Sequence, residues 1–185
     1  MSLRLYHTVQ LVEVPKEKIS LARKFSLDVA PTTNYTDSNQ YSREKIQDDH
    51  FISKIGEEAV VQVMKRYGQL SGPDYTIYVG KSKSWLHDLE MNHTGIAVKT
   101  QRRTAAEHYG LSWTFQYGKG RKDSLLQQPD AWVVFVEYND RKPYECRVFP
   151  PYQVKELTFK EPRRDYLRNS KKVVYASTLP PVSIP

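Results

Sequence analysis

Apolar and polar positions alternate, then recur with helical spacing, then alternate again along this chain. "LRLYHTVQLVEV", residues 3 to 14, is rich in β-branched and aromatic residues and predicts a strand; Pro15 then opens a helix through "KEKISLARKF". Residues 30 to 40, "APTTNYTDSNQ", are polar turn formers and predict a loop. The clearest helix is "QDDHFISKIGEEAVVQVMKRYG", with Asp49 placed to cap it and Gly68 placed to end it. Ile52, Ile55, Ala59, Val60, Val63, Met64 and Tyr67 form one stripe at the helical period, with Glu57 and Glu58 on its two flanks. Two helix glutamates read by residue type alone belong to a solvated face, yet either can reach round the helix into a cleft.

From residue 75 the pattern turns to strands. "YTIYVG" predicts a strand, "WLHDLEM" and "GIAVKTQ" a hairpin joined through "NHTG", and "LSWTFQY" a further strand beside the second arm of that hairpin. "RRTAAEHYG" supplies a short helix or turn between them. "AWVVFVEY" and "YECRVFPP", joined by "NDRKP", predict a second hairpin, and the near-continuous apolar run marks a central strand buried on both faces. "PPYQVKEL" and "EPRRDYLRN" are short helical candidates, "KKVVYA" a last strand, and 176 to 185 a loose tail. The sum is an α/β (α+β) fold, a central mixed β-sheet flanked by helices. A chain of 185 residues without internal repeats is expected to form a single domain.

Composition narrows the functions. A formal charge of +7 favours a polyanionic partner, DNA among them. The lone cysteine, Cys146, excludes an internal disulfide and reads as a small buried hydrophobe in its strand. No apolar run approaches the ~20 residues of a spanning helix and no secretory leader is evident, so no membrane is expected as a partner and the expected location is cytoplasmic. His50, His87, His93 and His108 lack zinc-ligand spacing, and neither a Walker loop nor a dinucleotide fingerprint occurs.

What remains is a set of carboxylates around one lysine. Metal-assisted phosphodiester hydrolysis needs carboxylates holding a divalent ion at a sheet edge, with a cation beside the attacking water or the transition-state oxygens. Asp88 lies in the first arm of the "NHTG" hairpin and Lys99 near the end of the second. Alternation puts Ala97, Lys99 and Gln101 on one face of that second arm and Ile96, Val98 and Thr100 on the other. Asp74, in "GPDY", is a second candidate acid, or simply a turn residue. Basic loops flank the region: Lys81 and Lys83, Arg102 and Arg103, and Lys119, Arg121 and Lys122, with Gln116 on a neighbouring strand, are candidates for contacts to DNA.

The helix "KIGEEAVVQVM", Asp88 in "HDLEM" and Lys99 in "AVK" resemble the PD-(D/E)xK, or restriction-endonuclease-like, nuclease superfamily over about residues 42 to 157. The resemblance implies a restriction-endonuclease-like sheet and a Mg²⁺-dependent endodeoxyribonuclease, with Mn²⁺ as a substitute ion. It implies metal binding by Asp88 (or Asp74) with Glu57 or Glu58, a catalytic Lys99 and a supporting Gln101. Ala97 departs from the pattern: it stands in the place of the second acid and cannot bind a metal, so Glu57 or Glu58 must complete the set. Residues 1 to 30 would add a strand and helix outside this core. Cutting both strands of a duplex further suggests a homodimer. The rival expectation is a non-catalytic DNA-binding protein that retains the nuclease fold. Convergence of the carboxylates on Lys99 separates the two.

Overall fold

The computed structural model describes residues 2–32, 42–78, 87–120 and 122–182. Strand β1 (Gln10–Glu13) leads through Pro15 into helix α1 (Lys16–Val29), and helix α2 (Arg43–Met64) packs against α1. The fixed φ of proline suits a helix start, as expected. The start of α2 differs from the expected one. Ser42 caps it by accepting from the Lys45 amide at 3.3 Å, and Asp49 sits about two turns inside, paired with Lys45. Its last residue, Met64, precedes Gly68 by four positions.

A short strand β2 (Leu70–Ser71) comes before residues 75–78, which carry no strand pairing; the rest of the expected "YTIYVG" strand lies outside the described residues. Strands β3 (Leu89–Met91) and β4 (Thr94–Arg102) form the expected hairpin. Asn92 and His93 hold φ of 47° and 63° in its two-residue turn, the left-handed pair that matches the twist of a tight hairpin. Helix α3 (Arg103–Tyr109) follows directly, then β5 (Ser112–Gln116), β6 (Trp132–Tyr138), β7 (Glu145–Val148), β8 (Tyr152–Gln153) and β9 (Lys171–Tyr175). Where helices were expected in "PPYQVKEL" and "EPRRDYLRN", single 3₁₀ turns occur at Val154–Glu156 and Asp165–Leu167. Prolines 150, 151 and 162 crowd these segments and deny them a longer run of backbone donors.

The main sheet is mixed, in the order β1-β7-β6-β4-β3-β2, with β8 continuing the β7 edge of β6. Every residue of β6 is buried, as its apolar run predicts. β4 and β6 run parallel, which requires the long crossover through α3 and β5. β5 therefore does not lie beside β4 as expected; it pairs with β9 in a separate two-stranded ribbon. The α/β class and the mixed sheet with helices on one face stand.

Two cores result. On one face Ile96, Val98, Val134 and Val136 meet Ile52, Ile55, Ala59 and Val63 of α2. On the other, Ala97, Val133 and Phe135 meet Trp113 and Phe115 of the ribbon, with the Trp113 and Phe135 rings stacked at 4.4 Å. Cys146 lies fully buried in the helix-side core, and burial pushes its thiol up to about 12, where it is inert. Among the described residues no helix is long and apolar enough to cross a membrane.

Candidate active site

β3 covers β4 only from Thr94 to Ile96, so the outer edge of β4 from Ala97 to Arg102 has no strand partner among the described residues. Asp88 occupies the point where the two strands part. Its amide donates to the Ile96 carbonyl at 2.9 Å, completing the ladder, while its Oδ2 accepts from the Val98 amide at 2.7 Å. A carboxylate in the plane of the sheet thus takes the place of the next backbone acceptor. Its Oδ1 makes no hydrogen bond within the described structure.

Beside Asp88, α2 contributes a buried polar cluster that its sequence disguises as solvated. Glu57 is 2% exposed and Glu58 fully buried. Glu57 accepts from Lys54 Nζ at 2.6 Å and from Ser53 Oγ at 3.2 Å. Lys54 is itself buried, with its ammonium 5.1 Å from the Phe25 ring centroid and 5.5 Å from that of Tyr75. Burial pushes the Glu57 carboxyl up to about 7; Lys54 pulls it down, and the charge of Asp88 pushes it up again. Glu58 turns elsewhere: its Oε1 accepts from the Tyr75 hydroxyl at 3.0 Å and lies 3.3 Å from Lys18 Nζ, while its Oε2 is buried without a hydrogen-bond partner among the described residues. Burial raises the Tyr75 phenol, and the adjacent Glu58 carboxylate raises it further.

Lys99 emerges on the opposite face of β4, as alternation requires. There its Nζ meets Asp123 Oδ2 at 2.6 Å and lies 4.9 Å from the Phe115 ring centroid. It touches none of Asp88, Glu57 and Glu58, so the convergence of carboxylates on Lys99 expected of the catalytic set does not occur among the described residues. Gln101, on the same face, bonds the ribbon instead: its Oε1 accepts from the Ser112 amide at 2.8 Å. The expected supporting amide thus fixes β5 against β4. Replacing it, Gln101→Ala, is expected to cost about 1–2 kcal/mol in urea unfolding and to speed hydrogen exchange at the Ser112 amide.

Asp74 follows the turn reading, since its carboxylate accepts from the Thr76 amide and the Tyr78 hydroxyl, both at 2.8 Å. Two of the basic candidates are already neutralised. Arg102 pairs with Asp48, and Arg103 lies 3.3 Å from Glu137, which Arg147 also engages at 2.8 Å. Lys119 is exposed, Lys122 sits 5.6 Å from the Tyr117 ring centroid, and Gln116 is half-buried at the end of β5. Lys81, Lys83 and Arg121 lie outside the described residues.

Sequence reasoning did not pick out Lys54, Tyr75 or Asp123. The K-x-x-E spacing of Lys54 and Glu57 is a readable sign of an intrahelical ion pair. Asp123 carries no such sign, because it reaches Lys99 only through tertiary packing.

Among the described residues, the donors available to a divalent ion are the carboxylates of Asp88, with one oxygen that accepts no hydrogen bond there, and Glu57. Such hard oxygen ligands suit Mg²⁺, which takes one or two carboxylates and completes its shell with water and phosphate. Lys54 and Ser53 already hold the two oxygens of Glu57, which makes Asp88 the stronger anchor. Among the described residues no three His, Cys, Asp or Glu side chains gather as a metal cluster.

In comparisons with known proteins, no family model, curated protein or solved structure matches this chain.

Proposed function

We propose that the chain is a Mg²⁺-dependent DNA endonuclease of the restriction-endonuclease-like type, acting at the open edge of β4. One observation carries this reading. Asp88 presents a carboxylate at the point where β3 and β4 part, held by the Val98 amide, and its charge raises the buried Glu57 carboxyl of α2. A helix bearing Glu57, a strand led by Asp88 and a strand bearing Lys99 also follow in the order such a nuclease needs. Asp88 and Glu57 would hold the ion, with Asp74 and Glu58 committed to other partners. Bound Mg²⁺ would supply charge neutralisation at the phosphate and activation of water. Asp88 orients its ligand oxygen through the Val98 amide. Lys99 stabilises charge on the phosphate from the other side of the β4 edge once Asp123 releases it. A two-fold pair of such chains would cut both strands.

The second reading, a DNA-binding protein that retains the fold without catalysis, is favoured by the Lys99–Asp123 pair and by Ala97 in the acid position. Incubation with supercoiled plasmid separates the two. The nuclease converts plasmid to nicked and linear forms in Mg²⁺ and is silenced by a chelator. Intact plasmid across Mg²⁺, Mn²⁺ and other divalent ions, together with steeply salt-dependent DNA binding, establishes the second reading.

A further inference from the structure

Far along the chain from this edge, three segments build an exposed stack of aromatic rings and guanidinium groups. Tyr109 ends α3, residues 163–166 hook over it, and Tyr175 ends β9. The Arg164 guanidinium lies 3.7 Å from the Tyr109 ring centroid and 5.5 Å from that of Tyr166, and it donates to the Tyr166 hydroxyl. Arg163 lies 5.2 Å from the Tyr175 centroid and donates to the Tyr109 carbonyl at 3.2 Å, while its amide donates to the Tyr175 hydroxyl at 3.2 Å. Tyr166 is 70% exposed, the most open large side chain among the exposed hydrophobic residues described.

The charges around the stack are not balanced. Residues 160–172 hold six cations against two acids, Glu161 and Asp165. Both acids are taken, by Lys172 and Arg168. Neither Arg163 nor Arg164 has an ion pair among the described residues. At the opposite end of the β5–β9 ribbon a second exposed tyrosine, Tyr117, sits 4.8 Å from Lys172 Nζ and 5.6 Å from Lys122 Nζ. Five paired residues separate the two groups, roughly 15 Å at the rise of a strand.

We infer that this ribbon and its hook bind single-stranded DNA, with unpaired bases stacking on Tyr166 and Tyr117 and the phosphates following Arg163, Arg164 and the lysines of the strip. Exposed rings suit bases that are free to leave a stack, which a duplex does not offer, and guanidinium groups without a carboxylate partner among the described residues suit a phosphate backbone. The choice of DNA over RNA rests on the nuclease reading above; the stacking surface itself does not.

Fluorescence anisotropy on the full chain in chelator, where no cutting occurs, tests this with a labelled oligo-dT strand, the matching dT·dA duplex and oligo-U. The single DNA strand is expected to bind tightest. Tyr166→Ala, a change at an exposed ring, is expected to weaken that binding by about 5- to 100-fold while leaving the duplex affinity unchanged, and Arg164→Ala to flatten the salt dependence. A duplex or RNA strand bound as tightly as the DNA strand, or Tyr166→Ala binding like the native chain, overturns the inference. A chain that leaves plasmid intact yet binds oligo-dT through Tyr166 therefore refutes the nuclease and not the surface.

Discussion

Lys54→Met is expected to lower stability by about 3–5 kcal/mol at pH 8, because it strips the buried Glu57 carboxylate of its ammonium partner. The loss should shrink on acidification. The Glu57 carboxyl titrates near 7 in the folded chain, against an ordinary 4.5. Between these values the folded state holds a proton that the unfolded state has released, so native stability falls as pH rises from about 4.5 to 7, by up to about 3 kcal/mol from this group. Below about pH 5 the neutral acid needs no cation, and Met tolerates the same space against Phe25 and Tyr75. Lys54 also pulls the Glu57 titration down, so in the variant the fall should extend above pH 7. Urea unfolding at pH 5, 6, 7 and 8 measures both effects, with Glu57→Gln as the variant that loses this slope. An equal loss for Lys54→Met at pH 5 and pH 8 would show that packing, not charge, holds Lys54.

Gly56→Ala is expected to destabilise by about 2–3 kcal/mol although alanine favours a helix by ~1 kcal/mol over glycine. A Cβ at Gly56 would stand 1.8 Å from Thr100 Oγ1 and 3.0 Å from Thr100 Cβ, at the crossing of α2 over β4. The helix would have to lift away from the strand, and Glu57 with it. Among the described residues Thr100 Oγ1 is itself buried without a hydrogen-bond partner, so Thr100→Ala alone should be close to neutral. In the double variant the hydroxyl is gone and part of the loss should return, with a coupling above ~1 kcal/mol in thermal or urea unfolding. Additive losses would contradict direct contact.

Local pattern explains why much of this fold can be read without coordinates. Pro15 starts α1, the apolar stripe of α2 faces the sheet, Asn92 and His93 close the hairpin, and the unbroken run of β6 lies at the centre. Alternation also assigns Lys99 and Val98 to opposite faces correctly. What escaped depends on distant neighbours. β5 has the composition of a sheet strand, but its partner β9 lies more than fifty residues on, and nothing local says that it leaves the β4 edge. "YTIYVG" has strand composition, yet Tyr75 and Asp74 spend their side chains on Glu58, Thr76 and Tyr78 rather than on a ladder. Glu57 and Glu58 look solvated by residue type and are buried because Lys54, Lys18 and Tyr75 converge on them from three segments. Asp88 or Asp74 with Glu57 or Glu58 was readable as a set of candidate acids; the turning of Lys99 toward Asp123 was not.

The central claim is that Asp88 and Lys99 act on one phosphodiester across the edge of β4. Plasmid cleavage rates in Mg²⁺ for the native chain, Asp88→Asn and Lys99→Ala, compared at equal folded concentration, test it most directly. Catalysis at this edge predicts cutting by the native chain and a loss of about 100-fold or more in each variant. Native cutting that survives both substitutions, or no native cutting in any divalent ion, would contradict it.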